Sequence, residues 1–273
     1  MHLTDNLPRI SLVIPAWNES ALLPRLLETV ETARQQYRGG PEQIEVIVAD
    51  NSSTDDTAAI AEGRGHRVVS VARRCIAAAR NGGAAVASGE LVAFADADFR
   101  IDRETFNFIS QVMARPGIVG GATGLTMERW SVGIRATWYL IMPPLWLLGL
   151  DGGVWFCRRC DFQAIGGYNE AVKAGEDVRF LTALKRLGRS RKPRERLVNR
   201  FLARTLGMTP PIVTNSTRKF DIHGDWHMFR DALFILPRLV FGRRVVEEYV
   251  DRYFYEGREG STARAPTPNR TVG

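Results

Sequence analysis

Asp96 and Asp98 stand one residue apart at the end of the apolar run Leu91–Ala95. A run of that length reads as a buried strand. Two acids at its carboxyl end then lie at the mouth of a sheet, where open α/β folds bind their ligands. Unpaired carboxylates are costly to bury, so the pattern asks for a cation. A hard divalent ion fits, because Mg²⁺-type ions take one or two protein carboxylates and leave positions for phosphate oxygens. Taken alone, an Asp-x-Asp also reads as a solvated turn, so its company decides.

The elements that must position this pair follow from the periodicity. Ile10–Ile14, Ile44–Ala49, Arg67–Val71 and Leu91–Ala95 read as strands. Helical spacing between them predicts helices over 19–37 (Leu22, Leu23, Leu26, Leu27, Val30), over Asp55–Glu62 with Thr54 as N-cap, and over Ile76–Ala87. Strictly alternating strands and helices predict a mostly parallel sheet covered on both faces. Later elements are expected near Arg103–Arg115 (helix), Ile118–Leu125 (strand), Ser131–Met142 (helix), Val154–Cys157 (strand) and Glu176–Leu187 (helix). Further helices are expected over Trp226–Val240 and Arg243–Tyr255, and the tail after Gly257 is expected to be disordered.

Parallel topology brings three strand ends to one rim: Pro15-Ala16-Trp17-Asn18-Glu19, Asp50-Asn51-Ser52-Ser53-Thr54-Asp55-Asp56 and Asp96-Ala97-Asp98. An acid at the second of these suits a nucleobase or ribose. Arg80 suits a phosphate or base contact, or else a surface ion pair. Glu176 and Asp177 open a helix whose N-terminal dipole favours anions, which is reason enough for acids there without catalysis.

With these pieces in order, the sequence resembles the family 2 glycosyltransferases. The matching segments are Val13–Glu19, Val48–Asp55, Ala79-Arg80-Asn81-Gly82-Gly83, Asp96-Ala97-Asp98, Gly166-Gly167-Tyr168-Asn169-Glu170 and Gly175-Glu176-Asp177, within about residues 9–220. The resemblance implies a GT-A fold, the nucleotide-diphospho-sugar transferase fold: α/β, with a Rossmann-like, mostly parallel sheet and helices on both faces. It also implies roles. Pro15, Ala16, Asn18 and Glu19 would line the nucleotide pocket, with Trp17 against the base. Asp50 would bind the base and Arg80 the nucleotide. Asp96 and neighbouring Ala97 would face the ribose or metal, and Asp98 the metal and diphosphate. Gly166 and Gly167 would let backbone approach the donor sugar. Asp177, beside Glu176, would deprotonate an acceptor hydroxyl with inversion at the anomeric carbon. Thr214–Lys219 resembles a diphosphate-proximal segment, which brings in Arg218, and His223 is a candidate further metal ligand or a structural histidine. The implied cofactor is Mn²⁺ or Mg²⁺, and the implied donor a UDP-sugar. Trp17, and Asn51 after Asp50, depart from the family's commoner Tyr and paired acids, which bears on the nucleotide rather than on the reaction.

Other classes fit less well. A nucleotidyltransferase would carry a Gly-rich basic loop where Trp17-Asn18-Glu19 stands. A non-catalytic sugar-nucleotide-binding protein would not need Asp96, Asp98 and Asp177 together. A dinucleotide-binding dehydrogenase would show G-x-G-x-x-G after the first strand.

The 273 residues carry 37 Lys and Arg against 30 Asp and Glu, a net charge of +7, so an anionic partner is expected. Nucleic acid is not, because no nucleic-acid-binding motif accompanies the charge. Eight of the basic residues crowd into Lys185–Arg200. Cys157-x-x-Cys160 lacks a second pair for a zinc site, and the three cysteines are expected as buried or neutral thiols. The N-terminus shows no basic-then-apolar signal peptide, and a cytoplasmic protein is expected. Ala136–Leu150 is apolar and rich in Trp, but falls short of the ~20 residues that span a bilayer and is expected to break at Pro143-Pro144. That stretch and the basic run suit a peripheral membrane contact on the cytoplasmic face, or a core segment and a solvated face. The acceptor stays open between a lipid-linked and a small soluble molecule, and a homodimer is left open. The expected organisation is a catalytic domain over 1–220, with a nucleotide half at 9–98 and an acceptor half at 99–220. A helical extension would occupy 221–273.

Overall fold

A computed structural model describes residues 9–171 and 175–230. The expected helix over Arg243–Tyr255, the tail after Gly257 and all but 226–230 of the expected Trp226–Val240 helix lie outside these residues.

Strands β1 (Ile10–Ala16), β2 (Ile44–Asp50), β3 (Arg67–Ser70) and β4 (Leu91–Phe94) pair in parallel in the order β3-β2-β1-β4. The order reverses at β1, which makes the crevice beside its carboxyl end the natural ligand site. The sheet continues through β8 (Trp155–Arg158), antiparallel to both its neighbours, then β6 (Ile118–Ala122) and β9 (Arg196–Val198). A second sheet has the order β5-β10-β7, from Phe99–Arg100, Val213–Asn215 and Leu125–Met127.

Alternation along the strands divides the core into two layers. Leu12 and Ile14 of β1 face a cluster with α1 (Leu23–Gln35) and α4 (Thr105–Met113), while Val13 and Phe94 face one with α3 (Ile76–Val86) and α7 (Glu176–Ser190). Small residues bring α3 close to the sheet. A Cβ on Gly83 would meet Val13 Cγ1 at 2.4 Å, so only glycine fits that approach.

Several boundaries differ from expectation. Helix α1 starts at Leu23, not Glu19, because residues 18–19 are held by loop contacts: Asn18 takes φ 50° and the Glu19 amide donates to Thr57 Oγ1. Thr54 is not an N-cap. Helix α2 (Thr57–Gly63) begins after Asp56, and the Thr54 amide instead donates to Asn18 Oδ1 at 2.8 Å. The expected strand over Ile118–Leu125 divides between two sheets at Gly124, whose φ of 144° turns the chain. Cys75 and Cys157 are buried thiols as expected, whereas Cys160 is exposed.

Pro143 and Pro144 do not break their segment. Helix α5 runs over Val132–Leu147, its N-terminus capped by Ser131 Oγ accepting from the Ile134 amide. The carbonyls that lose their i+4 donors belong to Tyr139 and Leu140, both exposed, so water can serve them. Among the described residues, no helix is long and apolar enough to cross a membrane. Helix α9 (Arg218–His223) runs across residue 220, and Arg129 pairs with both Asp221 and Asp225, so the chain stays packed beyond that expected boundary.

Candidate active site

The three strand ends meet as parallel topology requires, and side chains lace them together. Asn18 donates from its amide to Ser53 Oγ at 3.0 Å, and the Ser20 amide donates to Asp55 Oδ2 at 3.1 Å. Asn51 Nδ2 donates to the carbonyls of Val71 and Arg73, and its Oδ1 accepts from the Cys75 amide. The polar residues after β1 and β2 therefore build the crevice wall. Asp50 is buried at the end of β2, and its Oδ1 has no hydrogen-bond partner among the described residues. An orphaned buried acceptor is a place for a donor group of a ligand. Trp17 is buried, with the Arg74 guanidinium 4.5 Å from its ring centre. Pro15, Ala16 and Ala97 are buried as well, and the Ala16 and Ala97 side chains belong to the core.

Arg80 is the hub. Its side chain is 1% exposed on α3 and donates to Asp96 (2.7 Å), Glu176 (3.1 Å) and Asp177 (2.5 Å). The rings of Trp155 and Tyr168 lie 5.1 and 5.0 Å from its guanidinium carbon. Burial alone would favour a neutral Arg80, but the charges of Asp177 and Asp96 hold it firmly protonated. Three acids around one cation leave an excess of negative charge. Asp177 shows it: burial, opposed by Arg80 and reinforced by Glu176 and Asp96, pushes its carboxyl up to about 8.

Glu176 and Asp177 form the first turn of α7, which follows Gly175 in a left-handed conformation (φ 72°). Gly166 and Gly167 close α6 (Arg159–Ala164) with φ 78° and 69°, and their amides donate to Gln163 and Phe162 carbonyls. Asn81 then fastens two motifs together. Its Oδ1 accepts from the Tyr168 amide at 2.8 Å, and its Nδ2 donates to the Tyr168 carbonyl and to Glu170. Tyr168 stacks on Phe180 with ring centres 4.4 Å apart, which fixes the face it presents to Arg80.

On the other side of the crevice, Glu19 is buried and held by both terminal nitrogens of Arg218 at 2.8 Å. Asp98 is half-buried and forms no ion pair among the described residues. Burial, with Glu19 and Asp96 adding negative charge and Lys219 and Arg218 opposing, pushes its carboxyl up to about 6. A carboxylate strained in that way, next to a second one, is a hard-oxygen donor set that suits a divalent ion. His223 is exposed on α9, its ring 5.5 Å from that of His227. Among the described residues, no three His, Cys, Asp or Glu side chains gather as a metal cage, so His223 is not brought into one with Asp96 and Asp98.

Residues 11–138 match the family model described as Glycosyl transferase family 2. Residues 11–138, a little under half of the chain, are thus similar to family 2 glycosyltransferases. Validoxylamine A glucosyltransferase of Streptomyces hygroscopicus subsp. limoneus is 41% identical over 107 residues, a match spanning 34% of this chain and 21% of that protein. The chain thus covers well under two thirds of the curated relatives it matches. Among solved structures, a mannosyltransferase from Pyrobaculum calidifontis in complex with GDP-Man and Mn²⁺ aligns over 77% of this chain and 57% of its own, at 20% identity and a TM-score of 0.54. TarS 1–349 of S. aureus in complex with UDP aligns over 91% of this chain and 70% of its own, at 18% identity and a TM-score of 0.53. These likenesses show the GT-A fold.

Sequence reasoning named Arg80, Asp96, Glu176 and Asp177 separately and missed that they form one cluster. It also missed Trp155 and Tyr168 as the faces around Arg80, and Asn81 as the staple. Tyr168 and Asn81 stood inside recognised motifs, so a signal existed. Trp155 carried none beyond its place in a short apolar strand.

Proposed function

We propose that the chain is an inverting glycosyltransferase that moves a sugar from a nucleotide-diphospho-sugar, UDP-linked in the first instance, to an acceptor hydroxyl. One observation carries the reading: a single buried guanidinium, Arg80, holds Asp96 of the Asp-x-Asp pair and Asp177 together. Displacement at an anomeric carbon needs a base on one side and a stabilised leaving group on the other. Asp177 is the base, taking the acceptor proton on its carboxylate. Glu176 and Arg80 keep that carboxylate in place. Asp50, through its unspent Oδ1, meets the nucleobase, and Arg218, oriented by Glu19, faces the diphosphate. Asp98 and Asp96 would hold Mn²⁺ or Mg²⁺, which when bound neutralises charge growing on the departing diphosphate.

The direct test is release of UDP from UDP-sugars, with acceptor and without, by wild-type protein and by Asp98→Asn. The variant is expected to lose roughly 2–4 kcal/mol of transition-state stabilisation in kcat/KM, and donor affinity with it. Full activity of Asp98→Asn in EDTA would sink the metal assignment. No UDP release from any donor by the wild type would leave a binding protein instead.

The acceptor side bears on where the substrate comes from. The outer face of α5 is apolar and open, with Val132 74%, Tyr139 69% and Leu147 90% exposed. At its end, Lys185 Nζ donates to the Leu148 carbonyl, which sets the basic stretch of α7 beside it. Arg191 and Arg200 are tied to Asp161 and Asp151, while Arg186, Arg189, Lys192, Arg194 and Arg196 are exposed. An apolar ridge beside exposed cations suits an anionic membrane surface, at about 1 kcal/mol per cation. Co-sedimentation with phosphatidylserine vesicles is therefore expected at low salt and should weaken at high salt. Protein left in the supernatant at low salt would refute membrane contact.

A further inference from the structure

A cavity of about 450 Å³ opens between β7 and α5, with Thr126, Trp130, Arg135, Trp138, Tyr139 and Arg200 in its lining. That size is within the usual range for small-molecule pockets. Two guanidiniums and no acid line it among the described residues. Arg200 is built in: Asp151, itself buried, accepts from its Nε at 2.7 Å and Nη2 at 2.8 Å, and Trp146 lies 5.1 Å beneath the guanidinium. Nη2 also donates to the Leu125 carbonyl, so its Nη1 is left without a partner among the described residues. Arg135 forms no ion pair among the described residues, so the cavity has a net positive charge. Trp130 and Trp138 meet edge to face at 5.3 Å and are thereby held as fixed walls.

The cavity also stands near the donor side. Thr126 pairs with Thr214, which pairs with Arg100, and β5 begins directly after Asp98. Two strand spacings amount to about 10 Å.

Resting on the glycosyltransferase reading, we infer that this cavity is the acceptor subsite and takes an anionic ring compound: a phosphate or carboxylate on Arg135 and the Arg200 Nη1, with a sugar or polyol ring against Trp130 and Trp138. Guanidinium donors match such oxyanions in shape, and aromatic walls suit a ring's C–H face. The same anion and ring occur in a free hexose phosphate and in an inositol-phosphate lipid headgroup.

Calorimetry on the full chain separates these. UDP with Mn²⁺ is titrated first, and failure at that step overturns the glycosyltransferase reading itself. Glucose 6-phosphate, glucuronate and glucose then follow into the loaded protein, with phosphatidylinositol against phosphatidylcholine vesicles as the lipid arm. The expected result is at least tenfold tighter binding of the anions, or selective binding of the phosphatidylinositol vesicles, which names the source. Arg135→Gln should lose that preference at least tenfold and Arg135→Lys should restore part of it. Arg135 is exposed, so both variants should fold, with circular dichroism as the check. Equal binding of glucose, binding unchanged in Arg135→Gln, or no binding in either arm after UDP has bound would overturn the subsite.

Discussion

Arg80→Met is expected to lower the unfolding free energy by about 3–5 kcal/mol and the melting midpoint by on the order of 10 °C. The substitution keeps a long apolar stem between Trp155 and Tyr168 but leaves Asp96, Glu176 and Asp177 without their common cation. Breaking a buried pair by removing one partner costs more than the pair contributed, because the remaining charges stay desolvated. The sign with pH is a second check. Without Arg80, Asp177 loses the cation that opposes its burial, and its carboxyl, already pushed up to about 8, rises further above its unfolded value. A raised carboxyl destabilises the fold only once it ionises, so this part of the deficit grows as pH rises through about 8 and is absent well below it. Thermal melts of the variant and wild type at pH 6 and pH 9 test both parts. Equal midpoints at pH 9, or a deficit that grows on acidification, would show that Arg80 is not the hub.

Asp177→Asn should leave UDP binding intact and lower turnover about 10²-fold or more. Asn keeps the shape and still meets Arg80, which retains Asp96 and Glu176, so the fold should hold. What is lost is a carboxylate able to take the acceptor proton. With its carboxyl pushed up to about 8 by burial, Asp177 is mostly protonated at pH 6. In the wild type, kcat/KM should therefore climb from pH 6 towards pH 8, and the climb should vanish in the variant. The product should have the opposite anomeric configuration to the donor, read by NMR. Retention of configuration would overturn direct displacement and the role of Asp177 together.

Much of the site was legible as local chemistry. Asp50, Asp96 and Asp98 declared themselves as acids at the ends of apolar runs, because strand periodicity and polar loops are written in neighbouring residues. Asn18 was legible as a rim residue, though not as the side chain that ties Thr54 to the first strand end. The proline pair misled for a physical reason. A proline breaks a helix when the freed carbonyls are buried, and those of Tyr139 and Leu140 sit on the open side of α5. The split at Gly124 was missed because one glycine inside an apolar run gives no hint that its two sides join different sheets.

The sequence by itself determined the alternating α/β framework, the rim on which the acids stand and the order of motifs along it. Hydrophobic period, turn residues and helix-start acids act over a few positions, so they can be read along the chain. Only the tertiary structure decided which acids share a cation. Arg80 meets Asp96 from 16 residues away, and Glu176 and Asp177 from 96 and 97. Those partners are chosen by how closely α3 lies on the sheet and where α7 begins. The shift of Asp177 follows from that choice, because desolvation and three competing carboxylates exist only once distant segments have packed around one guanidinium.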